Sequence, residues 1–267
     1  MSTTETFEIS GPSGSISGAD VAPTTGGAGL PILLVHGINM SRDVWTEVAD
    51  ILSATRRVIS FDLRGHGKSA KEGPFTANDY ADDALAVLDA RGVERAHIVG
   101  TSFGGSTAAC LAVKAPERVA TVASFGGALA VEGLDLDGAI AFMRQVGVRD
   151  FFAGFLPEAS FAPGTDQGLI DRALASASEG REVQTVIDVT TAALNADTTA
   201  TAKAVTAPAL VVTGEHDMTC PVSAGQAVAA ALGTELVVLE GRGHVVSMEV
   251  PETVAELIER HAAAHDA

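Results

Sequence analysis

Residues 97–105 read His-Ile-Val-Gly-Thr-Ser-Phe-Gly-Gly and contain the pattern Gly-x-Ser-x-Gly. An apolar run precedes this pattern and a helix-like run, 106–114, follows it, which together predict a strand, a sharp turn and a helix. Gly100 and Gly104 lack the Cβ that would obstruct a close approach of the strand and the helix. A serine at such a turn sits in a strained backbone conformation with its hydroxyl exposed, so Ser102 is our candidate nucleophile.

A serine nucleophile needs a general base and an acid that orients this base. Asp217 and His244 each stand just beyond an apolar, β-branched run, 209–213 and 235–239, that predicts a strand. The carboxyl ends of parallel strands meet at one edge of a sheet, and open α/β sheets bind their ligands there. We therefore predict that Ser102, Asp217 and His244 form a catalytic triad.

Glu132 is an alternative acid, because it follows the strand 119–123 that precedes a long insertion. Asp217 is preferred because it directly follows a buried strand and leaves a short span to His244. Glu132 stands beyond two glycines, where a solvated carboxylate is the ordinary expectation.

Another strand-to-helix turn predicts donors for a developing oxyanion. The apolar run 31–35 is typical of a strand buried on both faces of a parallel sheet, and it ends at His36-Gly37-Ile38. A glycine directly after a central strand lets the backbone turn its next N–H inward. We predict the backbone N–H groups of Ile38 and Phe103 as the oxyanion hole.

Strands alternate with helices over 1–126 and 203–267, which predicts an α/β core with a mostly parallel sheet flanked by helices. Over 127–202 this alternation lapses, and we predict an inserted helical cap. Five of the ten phenylalanines fall within twenty residues of this insertion. They are predicted either to line a substrate pocket or to form the cap's own small core, and each explanation can hold for different rings: Phe142, Phe151, Phe152, Phe155 and Phe161.

Composition excludes several classes of function. A net charge of -17 lacks the cationic surface that nucleic acid or an anionic membrane requires. No apolar run approaches the length of a membrane span, and the N-terminal residues do not resemble a secretory signal. Two cysteines are compatible with a reducing cytosol, so we predict a cytoplasmic protein. The seven histidines show no zinc-binding spacing, and no metal site is predicted.

Five segments, in this order and over nearly the whole chain, resemble the α/β-hydrolase superfamily: 34–37 (Leu-Val-His-Gly), 61–69 (Phe-Asp-Leu-Arg-Gly-His-Gly-Lys-Ser), 100–105 (Gly-Thr-Ser-Phe-Gly-Gly), 214–217 (Gly-Glu-His-Asp) and 243–244 (Gly-His). Within the superfamily the chain looks most like the compact, cofactor-free serine carboxylesterases and lactonases. Ser102 disfavours the branches that use an aspartate nucleophile. The order Ser, Asp, His also matches this fold.

The resemblance implies a hydrolase that cleaves a carboxylic ester or lactone through an acyl-enzyme on Ser102 and needs no cofactor. Its expected partner is a small-molecule substrate with an apolar part; no oligomeric state is predicted. An enol-lactone hydrolase and a cofactor-free perhydrolase are alternatives of the same fold. A small-molecule receptor with slow or no turnover is the alternative from another class, since fold does not imply function.

Overall fold

A computed structural model describes residues 3–27, 29–131, 133 and 135–266. Eight strands form one sheet in the order β1-β2-β4-β3-β5-β6-β7-β8. The strands are β1 (Thr4–Gly11), β2 (Gly14–Val21), β3 (Ile32–Val35), β4 (Val58–Phe61), β5 (Ala96–Thr101), β6 (Val119–Phe125), β7 (Ala209–Gly214) and β8 (Leu236–Leu239). β3 to β8 are parallel, and the hairpin β1–β2 pairs antiparallel with the edge of β4.

Helices connect the parallel strands, because a parallel pair requires a long crossover. The helices are α1 (Thr46–Leu52), α2 (Ala77–Ala90), α3 (Phe103–Lys114), α4 (Leu136–Val146), α5 (Val148–Ser160), α6 (Gln167–Ser178), α7 (Val183–Leu194), α8 (Thr199–Ala204), α9 (Val222–Leu232), α10 (Val246–Glu249) and α11 (Pro251–Ala263). Helix α2 begins at a capping box in which the Thr76 side chain accepts the N–H of Asp79 and the Asp79 side chain accepts the N–H of Thr76.

The central strands are buried on both faces, as the continuous apolar runs predicted. Successive residues of β3 point to opposite sides of the sheet. Leu34 belongs to the core that contains Trp45. Leu33 belongs to the opposite core, which contains Tyr80 and Leu111. The sheet is therefore a rigid middle layer with helices on both faces, and residues at the carboxyl ends of its strands are held in fixed positions. The predicted α/β-hydrolase fold with a mostly parallel, helix-flanked sheet is confirmed.

Five helices, α4 to α8, lie between β6 and β7, where the alternation of strands and helices lapses in the sequence. We refer to residues 136–204 as the inserted helices. The predicted boundary between residues 202 and 203 falls within α8, and the division into a core and a cap stays a prediction. None of the helices within the described residues combines the length and the apolar composition that a bilayer crossing requires.

Candidate active site

Ser102 occupies the turn between β5 and α3 with a backbone φ of 53°. A residue with a side chain seldom adopts this left-handed region, and the surrounding packing must therefore hold it there. A Cβ on Gly100 would collide with the backbone of Gly104, and a Cβ on Gly104 would collide with the Val35 carbonyl. The Ser102 N–H donates to the Phe125 carbonyl at 2.7 Å. Strand and helix thus approach closely at the two glycines, as the sequence pattern requires.

Asp217 and His244 lie after β7 and β8 and are hydrogen bonded to each other. The distance from His244 Nδ1 to Asp217 Oδ2 is 2.8 Å. Both residues are buried, with 2% of the Asp217 surface and 7% of the His244 surface exposed. Because an ionised carboxylate can only accept, the proton lies on Nδ1 and leaves Nε2 as an acceptor. His244 also lines the same cavity as Ser102. The structure thus brings all three predicted triad residues to one site. The alternative acid, Glu132, lies outside the described residues.

Cys220 is a residue of this site that the sequence analysis did not select. Its backbone N–H donates to Asp217 Oδ1 at 2.6 Å, so both carboxylate oxygens of Asp217 are occupied. Cys220 lines the same cavity as Ser102. Burial and the neighbouring Asp217 raise the pKa of this thiol to about 12, so it stays protonated. Its position three residues after Asp217 was the only sequence signal.

Ile38 and Phe103, the predicted oxyanion donors, line the cavity beside Ser102. Phe103 is the first residue of α3, and its N–H therefore has no acceptor within that helix. The turn of Ile38 packs tightly against the nucleophile, since a Cβ on Gly37 would lie 2.7 Å from Ser102 Cβ. Both backbone segments thus border the space next to the Ser102 hydroxyl.

Two buried histidines, His36 and His66, support this turn. His36 Nδ1 donates to the Gly37 carbonyl at 2.6 Å, and His36 Nε2 accepts the Leu63 N–H at 2.9 Å. His66 Nε2 accepts the Asn39 N–H at 2.9 Å, and its Nδ1 donates to the Arg64 carbonyl at 2.9 Å. Each ring is therefore neutral. Burial lowers the pKa of His36 to about 4 and the pKa of His66 well below its ordinary value.

The cavity over Ser102 has a volume of about 390 Å³ and is walled mainly by aliphatic, methionine and phenylalanine side chains. Three of its phenylalanines, Phe151, Phe152 and Phe155, come from α5, and Phe103 of α3 is the fourth. Among the described residues that line it, none carries an Asp, Glu, Lys or Arg side chain. The cavity therefore offers a mainly apolar, uncharged surface that includes the Ser102 hydroxyl and the His244 imidazole.

Of the five phenylalanines predicted either to line a pocket or to form a small core, Phe142 and Phe161 do not line this cavity. Phe142 lies on the outer side of α4, is 49% exposed, and has its ring centroid 6.2 Å from that of Phe151. Phe161 ends α5 and is buried in the core, where its backbone packs against Gly243. Phe161 thus belongs to a core cluster that also contains residues of the sheet, and Phe142 is half exposed.

Within the part of the chain that the structure describes, no three His, Cys, Asp or Glu side chains are arranged to hold a metal ion. The groups gathered at the site are a hydroxyl, an imidazole, a buried carboxylate and backbone N–H groups. Such a set can transfer protons and stabilise negative charge on an oxygen atom.

Residues 31–251 match the family defined by the alpha/beta hydrolase fold, and the chain belongs to that family. A similar curated protein is a dihydrolipoyllysine-residue acetyltransferase component of the acetoin cleaving system from Pseudomonas putida. It is 32% identical over 86% of this chain and 62% of the relative. The rhodomycin D methylesterase DauP from Streptomyces sp. (strain C5) is 35% identical over 54% of this chain and 53% of its own length. The chain thus matches less than two thirds of the length of these relatives.

Among solved structures, Est816, described as an N-acyl homoserine lactone degrading enzyme, superposes with a TM-score of 0.82. It is 27% identical, and the match covers 95% of this chain and 99% of that one. Family and relatives together place this chain in the alpha/beta hydrolase superfamily, with a methylesterase among its homologues.

Proposed function

We propose that this protein is a serine hydrolase that cleaves neutral carboxylic esters or lactones with an apolar acyl part. The observation that carries the proposal is the 2.8 Å bond between Asp217 and His244 at the cavity that contains Ser102. The names of its relatives, a methylesterase and a lactone-degrading enzyme, support the same reaction class.

In the proposed reaction, His244 Nε2 accepts the Ser102 proton as Oγ attacks the substrate carbonyl. Asp217 holds the imidazole in the tautomer that makes this possible and stabilises its charged form. The N–H groups of Ile38 and Phe103 stabilise the oxyanion, and each such donor contributes about 3 to 4 kcal/mol in measured cases. The imidazolium then protonates the leaving alcohol. A water molecule, deprotonated by His244, attacks the acyl-enzyme and releases the acid.

The cavity wall favours an uncharged substrate. Transfer of a carboxylate from water to an apolar site is costly unless a cation or several hydrogen bonds receive it. The described wall of the cavity has no lysine or arginine, and the net charge of -17 adds long-range repulsion of anions. We therefore expect neutral acyl groups to be accepted and dicarboxylic monoesters to be rejected.

The test compares p-nitrophenyl butyrate with the p-nitrophenyl monoester of succinate, which has the same length but ends in a carboxylate. We expect kcat/KM to be at least tenfold higher for butyrate. Ser102→Ala should lower kcat by about 10⁶-fold while the folded structure is kept, because the triad residues act as a unit. A phosphonate ester should label Ser102, as read by peptide mass spectrometry.

Three results would contradict the proposal in different ways. Activity of Ser102→Ala within tenfold of the parent would remove Ser102 as the nucleophile. A single stoichiometric burst without turnover would favour a small-molecule receptor. A preference for the succinate monoester would refute the assignment of a neutral substrate but not the assignment of a serine hydrolase.

A further inference from the structure

Arg181 is a cation in the loop between α6 and α7 of the inserted helices, and it is partly buried. Among the described residues no carboxylate forms an ion pair with it, and its Nε is buried without a hydrogen-bond partner. Burial lowers the pKa of Arg181 to about 10, which keeps the side chain charged at neutral pH. A buried charge without a counter-ion costs stability. An apolar side chain would fill the same space at a lower cost, so the position calls for another explanation.

The guanidinium contacts two segments next to the proposed oxyanion hole. Nη1 donates to Asn39 Oδ1 at 2.8 Å, and Nη2 donates to the Gly65 carbonyl at 3.3 Å. Gly65 precedes His66, whose Nε2 accepts the Asn39 N–H. Arg181 thus holds Asn39 directly and also holds the turn that binds the Asn39 backbone.

Asn39 directly follows Ile38 and has a backbone φ of 59°, in the left-handed region. Its side-chain amide is held at both ends by the inserted helices, because Nδ2 donates to Thr190 Oγ1 of α7 at 2.9 Å while Oδ1 accepts from Arg181. The residue on the carboxyl side of Ile38 is therefore held by His66 through its backbone and by residues more than 140 positions away through its side chain.

We infer that Arg181 is a positioning residue that orients the oxyanion-hole turn through Asn39, so that the inserted helices must be seated for the Ile38 N–H to point at the reacting carbonyl. This inference rests on the proposed function. An oxyanion donor acts mainly in the transition state, so its misalignment lowers kcat and leaves substrate binding nearly unchanged.

The experiment measures kcat and KM for p-nitrophenyl butyrate, and the rate of Ser102 labelling by the phosphonate, in Arg181→Met, Asn39→Ala and the double variant. Arg181→Met should lower kcat and the labelling rate by about 10- to 100-fold with KM changed less than about threefold, since removal of one oxyanion donor costs about 10²- to 10³-fold. If Arg181 acts through Asn39, the double variant should be no slower than Asn39→Ala. Arg181→Lys, which keeps the charge, should recover part of the lost kcat.

Arg172→Gln is the matched control. Arg172 also connects the inserted helices to the rest of the protein, through an ion pair between α6 and Glu47 of α1, but it lies away from the cavity. Its removal deletes the same charge and should leave kcat unchanged. Should Arg181→Met fail to fold, Thr190→Val breaks the other bond of the Asn39 amide and should give the same selective loss of kcat.

Separate outcomes overturn the inference and the proposed function. The inference is overturned if Arg181→Met folds and its kcat is within threefold of the parent's, or if only its KM rises. It is also overturned if the loss of kcat in the double variant equals the product of the losses in the two single variants. If Arg181→Met does not fold, unchanged kcat in Thr190→Val has the same effect. Turnover that does not depend on Ser102 overturns the proposed function itself, whatever the Arg181 variants do.

Discussion

His36→Gln tests how far a buried neutral histidine makes the fold sensitive to acid. In the unfolded chain the imidazole takes up a proton near its ordinary pKa of 6.5, whereas in the folded protein burial lowers the pKa of His36 to about 4. The unfolded state therefore binds more protons between these values, and stability falls as the pH decreases below about 6.5. Above about pH 6.5, the contribution of neutral His36 to the free energy of unfolding is fully present.

At pH 5 the folded ring is still mostly neutral while the unfolded ring is mostly charged. With 1.36 kcal/mol per pKa unit, the contribution of His36 between pH 7 and pH 5 is a loss of about 2 kcal/mol in the free energy of unfolding. Glutamine can keep the acceptor for the Leu63 N–H but cannot be protonated. Carboxylates contribute little here, because those with lowered pKa, such as Asp20 and Asp266, titrate below this window.

The assay is urea unfolding of the parent and His36→Gln at pH 7, 6 and 5, followed by circular dichroism. We expect His36→Gln to be less stable at pH 7 but to lose about 2 kcal/mol less than the parent on acidification to pH 5. His36→Gln retains a residual slope from His66, whose pKa is also lowered by burial. Equal slopes in the two proteins would refute the argument that His36 is held neutral.

Two further pairs of substitutions test the triad acid and the cavity wall. Asp217→Asn should lower kcat by roughly 10⁴-fold, because the amide stabilises the wrong imidazole tautomer, while Glu132→Gln should cost less than tenfold; steady-state kinetics giving the opposite ranking would move the acid to Glu132. Phe155→Ala should shift the preferred acyl chain length among p-nitrophenyl esters, since Phe155 lines the cavity. Phe161→Ala should lower the unfolding free energy by about 3 to 5 kcal/mol without changing that preference, and a changed preference would contradict its place outside the cavity.

The order of strands and helices could be predicted because its signals are local. The Gly-x-Ser-x-Gly turn, the apolar strand runs and the Thr76 capping box each act within a few residues. The meeting of Ser102, Asp217 and His244 at one cavity also follows from a simple rule, since each comes after a parallel strand of the same sheet.

Contacts made by the inserted helices were not predictable in the same way. The division of the phenylalanines depends on how α4 and α5 are rotated about their axes when they pack, which the spacing along the chain does not determine. The bond between Arg181 and Asn39 joins residues 142 positions apart, and no periodic pattern connects them. Cys220 reaches the cavity and the Asp217 carboxylate through the course of a loop, not through a helix or strand.

The insertion between β6 and β7 has a consequence for synthesis on the ribosome. β6 is buried along its whole length and pairs with β7 at one edge, yet 83 residues separate the end of β6 at 125 from the start of β7 at 209. At about 5 to 20 residues per second, β7 is translated roughly 4 to 17 s after β6 is complete. During this interval a mainly apolar strand has an unpaired edge, the condition under which nascent sheets aggregate. The N-terminal half of the chain thus carries the main hazard of misassembly, and a chaperone that recognises extended apolar segments would find its target at 119–125.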